Sequence, residues 1–224
     1  MKTNSIHWPA FMKWLQQRLQ QNLPGYEAQS KMMSVYRPDG GAAPVHARHS
    51  GVLLLLYPDG EDIYLVLIER SADGGVHSGQ VALPGGRKEE TDNHIYNTAL
   101  RESNEEIALD PNLVTIIGQL SSLYIPASNF VVYPVVGFSD EVPMLSRSDA
   151  EVAQILQYPL DQIFSNVQKL KVPITGSPQI SINALAYLLP GGRYVWGATA
   201  MILSELESLI QEWQQLPDLI TESK

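Results

Sequence analysis

Between Asn93 and Ala108 a helical period carries Arg101, Glu102, Glu105 and Glu106. At about 100° per residue the three glutamates share one stripe, while Tyr96, Ala99, Leu100, Ser103 and Ile107 gather on a neighbouring face. One face packs and the other concentrates carboxylates, at a cost of a few tenths of a kcal/mol for each nearby like-charge pair. Either this is a solvated acidic face or something compensates the charge. Pro84-Gly85-Gly86 stands just upstream, where glycine lets the backbone approach a ligand closely. Carboxylates and a carbonyl form an oxygen-only donor set that suits Mg²⁺ or Mn²⁺. Such ions screen phosphate charge and acidify an attacking water.

The elements around this helix read as one layered α/β (α+β by some schemes) domain. Phe11, Trp14, Leu15, Leu19 and Leu23 recur at helical spacing before Pro24-Gly25, inside an N-terminal helical extension expected over 1–36. After a turn-rich stretch (37–44), Val52 to Tyr57 reads as a buried strand. Pro58-Asp59-Gly60 reads as a turn and Ile63 to Ile68 as the hairpin partner. A glycine-rich loop from Gly74 to Gly86 leads to the acidic helix, which Pro111 follows. Val114 to Leu120 and Val131 to Phe138 are strand-like, and Glu151 to Leu160 precedes a short helical pattern near Phe164. Ala184 to Leu189 and Tyr194 to Trp196 flank the turn Pro190 to Arg193, and a long closing helix is expected over 197–216. No internal repeat stands out.

Composition removes several classes of function. A net charge of -9 argues against nucleic acid and anionic membranes as partners, because both require clustered Lys and Arg. Absence of cysteine excludes disulfides, thiolate zinc and a cysteine nucleophile. The N-terminus lacks the pattern of a secretory signal, and the longest apolar run is too short to span a bilayer, so a cytoplasmic location is expected.

Gly86 to Leu109 resembles the Nudix box, which runs Gly, five residues, Glu, seven residues, Arg-Glu-aliphatic-any-Glu-Glu-any-Gly-aliphatic. Here Asp92 holds the first acidic place, eight residues precede Arg101, Ser103 replaces the aliphatic residue and Ala108 the glycine. The resemblance covers about Val52 to Leu203. It implies a single Nudix α/β/α sandwich over 1–224, with a mixed sheet and its core at 45–203. It also implies Mg²⁺ (or Mn²⁺) bound by Gly85, through its carbonyl, and by Glu102, Glu105 and Glu106, with Arg101 orienting the glutamates. Asp92 stays open between a turn residue and an electrostatic one.

Val66-Leu67-Ile68-Glu69-Arg70-Ser71, with His77, Gly79, Gln80 and Pro84-Gly85-Gly86, is similar to the signature of the coenzyme A diphosphatase branch, although Ile68, Gly75 and Leu83 depart from it. Gly75 stands where the branch has an arginine, so Arg48, Arg70 or Arg87 would have to substitute. Ser148 to Val152, Tyr158-Pro159-Leu160 and Tyr194 to Ala200 resemble later segments of that branch. The implied activity is cleavage of coenzyme A or an acyl-CoA to 3′,5′-ADP and 4′-phosphopantetheine, with ADP-ribose or another nucleotide sugar as the alternative substrate. A nucleotide-sensing domain without catalysis is the competing class. Catalytic roles fall to Glu102, Glu105, Arg101 and Glu151, the last as an extra metal ligand or general base. Arg70, Ser71, His77, Gln80 and Arg87 are the substrate-binding candidates. Arg70 equally reads as a strand-end ion-pair residue, and Trp196 as a packing residue. The partner is a small-molecule nucleotide diphosphate, and a homodimer is left open.

Overall fold

A computed structural model describes residues 7–33, 43–71, 79–174 and 177–216. In chain order the elements are α1 (Trp8–Arg18), α2 (Tyr26–Gln29), β1 (Arg48–Asp59), β2 (Asp62–Arg70), β3 (Val81–Ala82), β4 (Gly85–Arg87), α3 (Ile95–Ile107), β5 (Thr115–Gln119), β6 (Leu123–Ile125) and β7 (Phe130–Phe138). β8 (Val152–Pro159), α4 (Leu160–Phe164), β9 (Val167–Ile174), β10 (Ser177–Leu188), β11 (Tyr194–Val195) and α5 (Gly197–Gln215) complete the chain.

β1 is central to a mixed eight-stranded sheet. It pairs antiparallel with β2 through the expected hairpin and parallel with β7, from Arg48↔Phe130 to Leu56↔Phe138. Its run from Val52 to Tyr57 is continuously apolar because helices cover both faces of the sheet. Leu53, Leu55 and Tyr57 meet Ile95, Ala99 and Ile107 of α3 on one side. Leu54 and Leu56 belong to the opposite cluster, with Phe11 and Leu15 of α1 and Leu206, Leu209 and Trp213 of α5. The alternation is the period-two geometry of a strand, and it yields the α/β/α sandwich. Among the described residues no helix is long and apolar enough to cross a membrane.

The leading helix begins earlier and ends earlier than its periodicity suggests, because Pro9 starts it and the apolar residues after Arg18 pack from a loop. Phe11 and Trp14 contact Trp213, and Arg18 pairs with Glu212 of α5 at 2.6 Å, fastening α1 to the closing helix. The expected β10–β11 hairpin is present, with Tyr187↔Val195 and Leu188↔Tyr194 in register. It forms a separate three-stranded sheet with β9. The glycine-rich segment holds two short strands: β3 pairs with β2, and β4 pairs with β1 at Ser50↔Arg87, Gly51↔Gly86 and Val52↔Gly85.

Candidate active site at the acidic helix

α3 is fixed at both ends. His94 accepts a hydrogen bond from the Tyr96 amide, and Asn97 Oδ1 accepts one from the His94 amide, closing a capping box. At the other end Ala108 is left-handed, with φ of 52°, a conformation that costs an L-residue roughly 1–2 kcal/mol. Its amide bonds the Asn104 and Ser103 carbonyls and so ends the helix. Along its length α3 lies directly on β1. A methyl group on Gly51 would stand 2.8 Å from the Ile95 carbonyl oxygen, so only glycine permits this approach. The sequence reading passed over Gly51, although a lone glycine opening an apolar strand is a signal of close backbone contact.

The three glutamates differ in depth. Glu106 is 1% exposed, Glu102 is partly buried, and Glu105 has a side chain 53% exposed. Glu106 Oε2 accepts the Gly85 amide at 2.8 Å, and its Oε1 accepts Arg70 Nη1 at 3.0 Å. Burial pushes its carboxyl up to about 7, against the pull of the Gly85 amide and Arg70. Burial likewise raises Glu102, opposed by Arg101, and the charges of Glu105 and Glu151 add to the rise. Glu102 lies flat against Gly86, where any β-carbon would run into its carboxylate. The Pro-Gly-Gly segment is therefore the wall on which two acidic residues rest.

Arg101 organises the rest. Its Nη1 donates to Glu102 at 2.9 Å and Glu105 at 3.2 Å, while Nη2 donates to the Arg87 carbonyl at 3.0 Å. Nε and Nη2 form a fork on Asp92, at 3.2 and 2.9 Å. Asp92 is 5% exposed and also accepts the Glu89 amide and Thr98 Oγ. Arg101 is the main reason its carboxyl sits low, at about 2. Asp92 is thus both a turn residue and the anchor of Arg101, combining the two readings left open by sequence.

The remaining candidates are distributed around this centre. Arg70 ends β2, where it serves as the ion-pair partner of Glu106. Ser71 donates its amide to the Glu151 carbonyl at 2.9 Å, and the exposed Glu151 is near enough for its charge to act on Glu102 and Glu106. The Gln80 backbone carbonyl accepts the Arg70 amide at 3.0 Å. Arg87 is exposed, and its side chain makes no hydrogen bond or ion pair with the described residues. Arg48 stacks over Phe130, 4.1 Å from the ring centroid, and donates to the Ser128 carbonyl. Trp196 is half-buried at the N-cap of α5. His77 and Gly75 lie outside the described residues.

Among the described residues no three acidic or imidazole side chains form a ready-made metal cage. The donor chemistry still fits a hard cation. Among the described residues Glu106 uses two of the roughly four acceptor positions of a carboxylate, and Glu102 converges on the same glycine wall.

A NUDIX domain model matches residues 47–175, more than half of the chain. The Nudix hydrolase NudL of Pectobacterium atrosepticum is 35% identical over 169 residues, 75% of this chain and 86% of that protein. Its namesake from Yersinia enterocolitica is 32% identical over 173 residues, 76% and 85% of the two chains. A Nudix hydrolase from M. smegmatis, RenU, shares the fold with a TM-score of 0.52 at 18% identity, covering 78% of this chain and 92% of its own. With the box residues gathered on α3 and β4, these likenesses place the chain in the Nudix hydrolase family.

Proposed function

We propose that the chain hydrolyses a diphosphate linkage in a nucleoside diphosphate derivative, with coenzyme A or an acyl-CoA as substrate and Mg²⁺ or Mn²⁺ as cofactor. The observation that carries this reading is the convergence of Glu106 and Glu102 on Gly85-Gly86, with Arg101 locked behind them. Glu102, Glu105, Glu106 and the Gly85 carbonyl would hold the cation, which screens the diphosphate and acidifies a bound water. Arg101, immobilised by Asp92, keeps Glu102 and Glu105 aimed. Glu151, whose charge acts on Glu102 and Glu106, would take the proton from the attacking water or serve as an extra metal ligand. Arg87, whose guanidinium has no partner among the described residues, and Arg70, Ser71, His77 and Gln80 would supply contacts to the substrate.

Gly75 in place of the branch arginine favours a second reading, in which ADP-ribose or another nucleotide sugar is cleaved by the same machinery. Mass-spectrometric identification of products from coenzyme A and ADP-ribose in H₂¹⁸O tests both. The first reading expects 3′,5′-ADP and 4′-phosphopantetheine, with ¹⁸O in one of them. Turnover of ADP-ribose alone supports the second, and nucleotide binding without products contradicts both.

A further inference from the structure

Arg101 and Arg70, the two arginines that bond the glutamates of α3, are held in different ways. Arg101 is fixed by a fork on Asp92 and a bond to the Arg87 carbonyl, neither of which involves a proposed metal ligand side chain. Arg70 has one side-chain bond among the described residues, to Glu106 Oε1, and its side chain is 34% exposed. The other oxygen of Glu106 is held by a backbone amide that cannot leave without β4. Of the two donors on this buried carboxylate, only the arginine sits on a flexible stem that can swing away.

A divalent cation and a guanidinium cannot both take full advantage of the same carboxylate, because they repel each other at that distance. We propose that Arg70 and the divalent cation compete for Glu106, so that this ion pair sets the protein's metal affinity. Arg70 exchanges the carboxylate for a phosphate oxygen of the substrate. The exchange suits a guanidinium, whose planar fork matches carboxylate and phosphate alike. It also couples the two binding events, since metal on Glu106 releases the group that receives the diphosphate. This inference rests on the proposed metal-dependent hydrolysis and assigns Arg70 a specific part in it.

The test is Mn²⁺ binding to the full chain without nucleotide, followed by calorimetry and by the electron paramagnetic resonance signal of free Mn²⁺. Arg70→Gln should bind Mn²⁺ roughly tenfold more tightly than the unaltered chain, the weight of one charge-assisted bond removed from competition. Arg70→Lys, a shorter point charge, should tighten binding by a smaller factor and decides the question if the glutamine variant does not fold. Both variants should also raise the KM for substrate. Unchanged or weaker Mn²⁺ binding in the variants overturns the competition, while hydrolysis by the unaltered chain leaves the reading of the site standing. Failure of the unaltered chain to bind Mn²⁺ at all overturns both.

Discussion

Glu106 and Glu205 are both helical glutamates, and both are closed off from solvent, yet they sit in opposite chemical settings on the two sides of the sheet. Glu205 of α5 is 0% exposed and accepts hydrogen bonds from the Gly25 amide, the Ser121 hydroxyl and amide, and Gln29 Nε2, all neutral donors. It ties the α2 segment and the loop after β5 to the closing helix, and Ser204, which donates to the Ala28 carbonyl, reinforces the clasp. Among the described residues Glu106 accepts one backbone amide and one half-exposed arginine, which leaves acceptor positions to spare. Burial alone therefore does not separate the two carboxylates. The kind of donor around each does: neutral donors from three segments make a structural joint at Glu205, whereas a cationic donor on a flexible stem is what the proposed metal exchange at Glu106 requires.

The sharpest way to break this comparison is to neutralise each carboxylate in turn. Glu106→Gln should lower kcat by roughly 10–100-fold or more with the fold retained by circular dichroism, while Glu205→Gln should leave kcat within a few-fold. Stability should rank the pair in reverse. Glu205→Ala strands buried donors and should cost about 3 kcal/mol in urea unfolding. If the alanine variant unfolds like the parent, Glu205 is not the joint described.

Asp92 stands between the two cases, a buried carboxylate with a permanent cationic partner. Asp92→Asn should cost about 2 kcal/mol at neutral pH, since it leaves Arg101 without its anchor. Because the folded state holds this carboxyl at about 2, below its ordinary value of 3.8, its contribution is present above about 4 and is lost as pH falls towards 2. The parent and variant stability curves should converge over that interval. A constant gap down to pH 2 would contradict the charge pairing.

The helices that carry Glu106 and Glu205 offer a smaller test. α3 ends on Ala108 with φ of 52°, whereas α5 ends on Leu216 with φ of -68°. Ala108→Gly should stabilise the protein by about 1 kcal/mol through relief of the left-handed strain. At the bottom of the scale is Asp149, whose side chain is 85% exposed in its ion pair with Arg147. Asp149→Asn should change stability by less than about 0.5 kcal/mol.

The sequence made the acidic helix, the β1–β2 and β10–β11 hairpins and the closing helix legible, because each has an apolar period or turn residues strong enough to read locally. β3 and β4 were hidden in the glycine-rich loop, since two or three residues have no period. The Val167–Ile174 strand also escaped, because Lys169 and Lys171 break its apolar content and its pairing with β10 is visible only in three dimensions. At the site, Arg101, Glu102, Glu105 and Glu106 were readable as a group, but their depths were not. A stripe of three glutamates gives no sign that Glu106 turns inward to the Gly85 amide while Glu105 faces solvent. Glu205 gave no warning, because its meaning comes from Gly25, Gln29 and Ser121, residues distant in sequence.

The central claim is that Glu106, and not the equally buried Glu205, is the carboxylate available to a divalent cation. Mn²⁺ binding at neutral pH to the unaltered chain, Glu106→Gln and Glu205→Gln, each confirmed folded, measures this directly. The account predicts loss of at least about tenfold in affinity for Glu106→Gln and parent-like binding for Glu205→Gln. Parent-like binding by Glu106→Gln would contradict it.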